Sequence, residues 1–196
     1  MISIGSTMKQ TQILRRLFVG CVAVFMFSSV VTADSGRFEV INASARYEDA
    51  SWLVDARVEL ELSDTAVNAL QSGVSLRIIY QYEFIKRRRF WPDQTLATAE
   101  QAFELQYFSL SERYRIRSIP DNFQQSYATL FSALRYLGQV RDFSLSDDVL
   151  IEDKGSYYMT MRAVLDQGEL PGPLQVFAFW RDDFALESQR YRWKPN

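Results

Sequence analysis

The clearest pattern along the chain is an alternation. Trp52, Val54, Ala56, Val58, Leu60 and Leu62 alternate with Leu53, Asp55, Arg57, Glu59 and Glu61. A period of two sends one set to a core and the other to water, which predicts a strand. Residues 38–47 predict its hairpin partner, with Glu48-Asp49-Ala50-Ser51 as the turn. Ser63 and Asp64 then suit the start of a short helix over 65–71, and Gly73 suits its end. Val74, Leu76, Ile78, Tyr80, Tyr82 and Phe84 share one face of a long strand over 74–85. Lys86 to Arg89 extend it, and Pro92-Asp93 breaks it.

The second half repeats the pattern. Residues 98–108 predict a partner strand with Phe103, Leu105 and Tyr107 on one face. After a turn, residues 113–119 return, with Tyr114, Ile116 and Ser118 alternating with Arg113, Arg115 and Arg117. Residues 123–127 predict a short strand. Leu130, Ala133, Leu134 and Leu137 recur at helical spacing, which predicts a helix over 129–137 closed by Gly138. Residues 144–155 read as an acidic connection and 157–165 as a strand. Leu170-Pro171-Gly172-Pro173 is a break, and 174–180 and 184–193 predict a final strand pair. No repeat or interdomain linker interrupts the series. The fold class expected is mainly β, an antiparallel sandwich-like domain with two short helices. The helix from Thr129 should cover an open end or edge.

The N-terminus follows another logic. Lys9, Arg15 and Arg16 precede an uncharged, mostly apolar run over 17–31. Val31-Thr32-Ala33 then places small residues before Asp34, as at an export-signal cleavage site. The run is shorter than the roughly 20 residues that span a bilayer comfortably. Residues 1–33 are therefore expected to be an export signal, and 34–196 a single periplasmic domain. Retention of the signal as an inner-membrane anchor is the alternative. Met8 would make a more typical start than Met1. The Arg15-Arg16 pair resembles a twin-arginine signal, but Leu14 and the strongly apolar run suit ordinary secretion better. Cys21 lies too near the start of the apolar run for a lipoprotein site.

Composition narrows the chemistry. Of 196 residues, 47% are hydrophobic and 23% charged, as in ordinary globular chains. Net charge is −2; without Lys9, Arg15 and Arg16 it becomes −5, which opposes nucleic-acid binding. The chain has no histidine, and its one cysteine lies in the signal. Ser-His-Asp and Cys-His catalysis are excluded in the mature domain, as are disulfides and the usual zinc and copper sites. Gly-rich phosphate loops are absent, and no cofactor is expected.

The sharpest local feature is Lys86-Arg87-Arg88-Arg89-Phe90-Trp91. Arginines beside large aromatics suit an anionic surface, a lipid interface or a protein partner. The plainer reading is a strand end, with arginines facing cross-strand carboxylates and Phe90 and Trp91 packed inward. Asp147, Asp148, Glu152 and Asp153 could supply oxygen ligands to calcium, but they lack the spacing of a calcium loop and suit a solvated loop better. Asp182-Asp183 could be half of a carboxylate pair, though a turn explains it as well. The many Phe, Tyr and Trp residues suit either a β core or a pocket for an apolar ligand.

Several of these segments, in this order, carry a family resemblance. They are the strand over 74–85, Lys86 to Trp91, Phe103-Glu104-Leu105-Gln106-Tyr107, Tyr114-Arg115, Tyr127-Ala128-Thr129-Leu130 with Ala133-Leu134, Leu170-Pro171-Gly172-Pro173-Leu174 and Tyr191-Arg192-Trp193. Together they resemble the proteobacterial exported family called domain of unknown function 4390. Gly172 departs from the bulkier residue expected there. The resemblance implies a Gram-negative envelope protein whose gene often neighbours one for a sensor histidine kinase. It supplies no catalytic residue. The expected function is a noncatalytic protein-interaction module, binding an envelope protein such as a sensor kinase's extracytoplasmic part, or a lipid surface, through Arg87, Arg88, Arg89, Phe90 and Trp91. Carriage of an apolar ligand is the alternative, and a carboxylate-based hydrolase ranks third.

Overall fold

The computed structural model describes residues 36–49, 51–145, 156–166 and 186–195. The expected export signal, with Val31 and Ala33, and Asp34 after it lie outside the described residues. So do the acidic residues Asp147, Asp148, Glu152 and Asp153, the Pro-Gly-Pro break, the strand expected over 174–180, and Asp182-Asp183.

Strands β1 (Arg37–Glu48) and β2 (Ser51–Glu61) form the expected hairpin, in register from Arg37↔Glu61 to Glu48↔Ser51. Trp52, Val54, Ala56, Val58, Leu60 and Leu62 are all buried, so the alternation marks the core face. Helix α1 (Asp64–Gln71) begins where Ser63 Oγ accepts from the Ala66 amide at 3.2 Å. Ala66 and Leu70 anchor it in the core.

Strands β3 (Leu76–Arg87), β4 (Gln94–Phe108), β5 (Arg113–Ser118) and β6 (Gln124–Tyr127) follow as an antiparallel meander. Helix α2 (Leu130–Leu137) has Thr129 at its N-cap, with Oγ1 accepting from the Ser132 amide at 3.2 Å. Strands β7 (Gln139–Leu145), β8 (Ser156–Asp166) and β9 (Tyr191–Trp193) complete the series. One sheet has the order β1-β2-β7, the other β6-β5-β4-β3-β8-β9. All pairings are antiparallel.

Three details differ from the expectation. Strand β7 covers residues 139–143, where alternation predicts no strand, and the first two residues of the expected acidic connection. Its register shifts opposite Asp55, where Asp142 takes a positive φ of 48°. The bulge adds one residue, so Val140 and Leu145 are both buried although their spacing breaks alternation. The last strand is shorter than expected. Leu186 and Ser188 bond to β8 backbone, but a regular strand covers only Tyr191–Trp193. Strand β4 starts four residues earlier than expected because Gln94 and Thr95 pair with Lys86 and Ile85.

The two sheets meet through aromatic rings. Tyr82 of β3 stacks on Phe143 of β7, with centroids 4.6 Å apart, and Trp52 of β2 lies 5.6 Å from Phe84 of β3. Helix α2 packs against β2, β5, β6 and β7, covering an opening between the sheets. The buried Tyr80 hydroxyl donates to the Leu137 carbonyl at the end of α2, at 2.8 Å. The protein is thus a mainly β, antiparallel two-sheet domain with two short helices.

Candidate functional site

Alternation along β3 buries Leu76, Ile78, Tyr80, Tyr82 and Phe84, and so fixes this strand firmly between β4 and β8. Its last paired residue is Arg87, opposite Ser156 of β8. Arg88 to Asp93 then form the connection to β4. Pro92 cannot donate a ladder hydrogen bond, which helps to end the strand here.

The structure brings Arg87, Arg88, Arg89, Phe90 and Trp91 together at this hairpin tip, all exposed. Phe90 is 84% exposed and Trp91 75%, so neither ring packs inward as the plainer reading required. The Arg89 guanidinium lies 5.4 Å from the centre of the Phe90 ring. The Arg88 guanidinium donates to Gln94 Oε1. Arg87 and Arg89 form no ion pair with a described residue; Glu152 and Asp153, which lead into Ser156 opposite Arg87, lie outside the described residues.

One carboxylate orders the loop. Asp93 Oδ1 accepts from the Arg88 amide at 3.2 Å, and Oδ2 accepts from the Tyr158 hydroxyl at 2.8 Å. The hydrogen bond from Tyr158, and then that from the Arg88 backbone, hold the Asp93 carboxyl below its usual range. The same bond raises the Tyr158 hydroxyl above its usual range. Arg192 of β9 lies 4.2 Å from the Tyr158 ring. The tip is therefore a fixed loop, with arginines and two bare aromatic rings at its apex.

Asp93, Tyr158 and Arg192 are the supporting residues that sequence reading missed. Asp93 stood out only as part of a Pro-Asp break. Tyr158 and Arg192 come from strands distant in the chain, and only sheet order brings them near.

Elsewhere, several acids pair with arginines. Glu83 meets Arg190 at 2.6 Å, Glu104 pairs with Arg117, and Arg46 bridges Asp55 and Asp142. Among the described residues no cluster of acids could hold a metal ion. A cleft of about 950 Å³ runs along the outer face of β1, β2 and β7 beside α2. Asp55, Arg57, Glu59, Arg135 and Arg141 give it mixed charge. A smaller one, about 330 Å³, lies between Phe103, Phe123 and Tyr136. Among the described residues no helix is long and apolar enough to cross a membrane.

These features define a class: all-antiparallel two-sheet domains that present a basic and aromatic hairpin tip. Within it, the model of one family, a domain of unknown function (DUF4390), matches residues 35–194, and the chain belongs to that family. Comparison with curated proteins and with solved structures finds no match.

Proposed function

We propose that this protein is a noncatalytic interaction module of the cell envelope, and that the β3–β4 tip is its docking surface. The observation that carries this reading is the exposure of Phe90 and Trp91 on a hydrogen-bonded loop among arginines. Large rings left bare on an ordered apex suit a contact better than they suit water. The residue inventory supports a noncatalytic role. Histidine is absent, and the one cysteine precedes the domain.

The export signal read at residues 1–33 supports a periplasmic location. Two kinds of partner suit the tip there. One is another exported protein, with the extracytoplasmic part of a sensor histidine kinase as first candidate. The other is a lipid surface. Nucleic acid is opposed by export and by the net negative charge.

Carriage of an apolar ligand draws less support. Tyr80, Tyr82, Phe84 and Trp52 are buried against one another and their neighbours in the core, and the larger cleft is lined by charge.

Photo-crosslinking in living cells from a probe at Trp91 tests the reading. A discrete adduct, lost in Arg87→Ala/Arg88→Ala/Arg89→Ala, is the expected result. Absence of any protein or lipid adduct from a folded protein would remove the tip as a docking surface.

A further inference from the structure

The tip is small and narrow. It is a six-residue connection, Arg88 to Asp93, beyond the last paired residues Arg87 and Ser156. Specific protein interfaces usually engage roughly 800 Å² per partner, far more than two rings at an apex provide. A lipid interface needs no complementary pocket. It accepts aromatic rings at headgroup depth and draws in nearby cations.

Among the described residues, the charges around the tip fit that surface. From Lys86 to Thr95 the one acid is Asp93. Both of its oxygens are occupied by hydrogen bonds from within the domain. Arg87, Arg88 and Arg89 precede the two rings directly, and Arg192 stands behind them on Tyr158. The domain as a whole is acidic, so the tip is a local inversion of its charge. That inversion would orient the domain with its tip toward an anionic sheet of phosphates.

We infer that the tip docks the domain on an anionic phospholipid surface, Phe90 and Trp91 entering the headgroup layer while Arg87, Arg88 and Arg89 meet lipid phosphates. This rests on the reading of the tip as the docking surface and names its partner. The order of residues suits the task. The rings lie at the apex, where insertion begins, and the arginines lie beside them at headgroup level. The loop is held by Asp93 before it meets lipid, so little ordering remains to be done on binding.

The test is cosedimentation of the protein, in the form recovered from cells, with two kinds of vesicle. One is phosphatidylcholine alone; the other is phosphatidylcholine mixed with phosphatidylglycerol. Binding to the mixed vesicles alone, weakened by added salt, is expected. Arg87→Ala/Arg88→Ala/Arg89→Ala should lower it about 100-fold at low salt. Phe90→Ala/Trp91→Ala should lower it about tenfold or more. All five side chains are exposed, so the variants should keep their circular dichroism. No binding by the parent protein, or equal binding by the tip variants, overturns the inference. A protein adduct at Trp91 in cells without vesicle binding would keep the docking surface and replace lipid with protein. Loss of both signals would remove the surface itself.

Discussion

The Tyr158 hydroxyl donates to Asp93 Oδ2 at 2.8 Å and ties strand β8 to the loop that carries Trp91. Asp93 passes that restraint to the Arg88 amide through its other oxygen. Removing the hydroxyl in Tyr158→Phe should loosen the loop and leave the fold intact. Amide exchange at Arg88 should quicken several-fold while the melting temperature stays nearly constant. Unchanged exchange at Arg88 would show that the loop is held by other contacts.

Acid should release the same restraint. Asp93 titrates below its usual range because its ionised form accepts both hydrogen bonds. A depressed carboxyl contributes order that is present above its unfolded value, about 3.9, and is lost as pH falls through the lower folded value. The Arg88 amide resonance should therefore stay constant from neutral pH to about 4 and move only below it. In Asp93→Asn that movement should vanish. A transition near pH 6 would contradict the assignment.

Inside the domain, two tyrosines on one strand face should behave differently. The buried Tyr80 hydroxyl donates to the Leu137 carbonyl at 2.8 Å, whereas the Tyr82 hydroxyl is 3.5 Å from Gln101 Oε1. Burial pushes the ionisation of both hydroxyls far upward, so both remain neutral donors at any working pH. Tyr80→Phe leaves a buried carbonyl without its donor and should cost about 1–3 kcal/mol. Tyr82→Phe loses a long, weak bond and should cost less than about 1 kcal/mol. Urea unfolding of the two variants measures the difference. Equal losses would mean that the bond to Leu137 contributes nothing beyond packing.

Much of this fold was legible because alternation and burial coincide. The alternating residues of β2 and the shared face of β3 name the two central core strands directly. Strand β7 escaped because Asp142 inserts a residue and reverses the parity on which such reading depends. The final strand was overextended because an aromatic-rich run suits strand or irregular backbone alike, and Leu186 to Ser188 use only part of a ladder. At the tip, the residue types were legible and their direction was not. Hydrophobic residues usually face inward, yet Phe90 and Trp91 lie beyond the last paired position, where no described strand covers them. Tyr158 carries no local signal for its role, since it reaches Asp93 only through the pairing of β8 with β3.

Two glycines that look alike in sequence make the last contrast. Gly73 and Gly138 each follow a helix, and spacing predicts the same stopping role for both. Gly73 does have a left-handed φ of 90°, with open space where a Cβ would stand. Gly138 does not; its φ is −67°, and a Cβ there would lie 2.2 Å from the Val58 carbonyl oxygen. Its own carbonyl accepts from the Val58 amide at 2.8 Å, so this glycine lets β7 approach β2 closely. Asparagine visits left-handed backbone with little strain but still carries a Cβ. Gly73→Asn should therefore cost less than about 1 kcal/mol, whereas Gly138→Asn should cost about 1–3 kcal/mol by overpacking. Denaturant midpoints of the two variants separate the roles. If Gly138→Asn were as mild as Gly73→Asn, the β2 backbone would be free to yield, and the close approach would not be what requires glycine there.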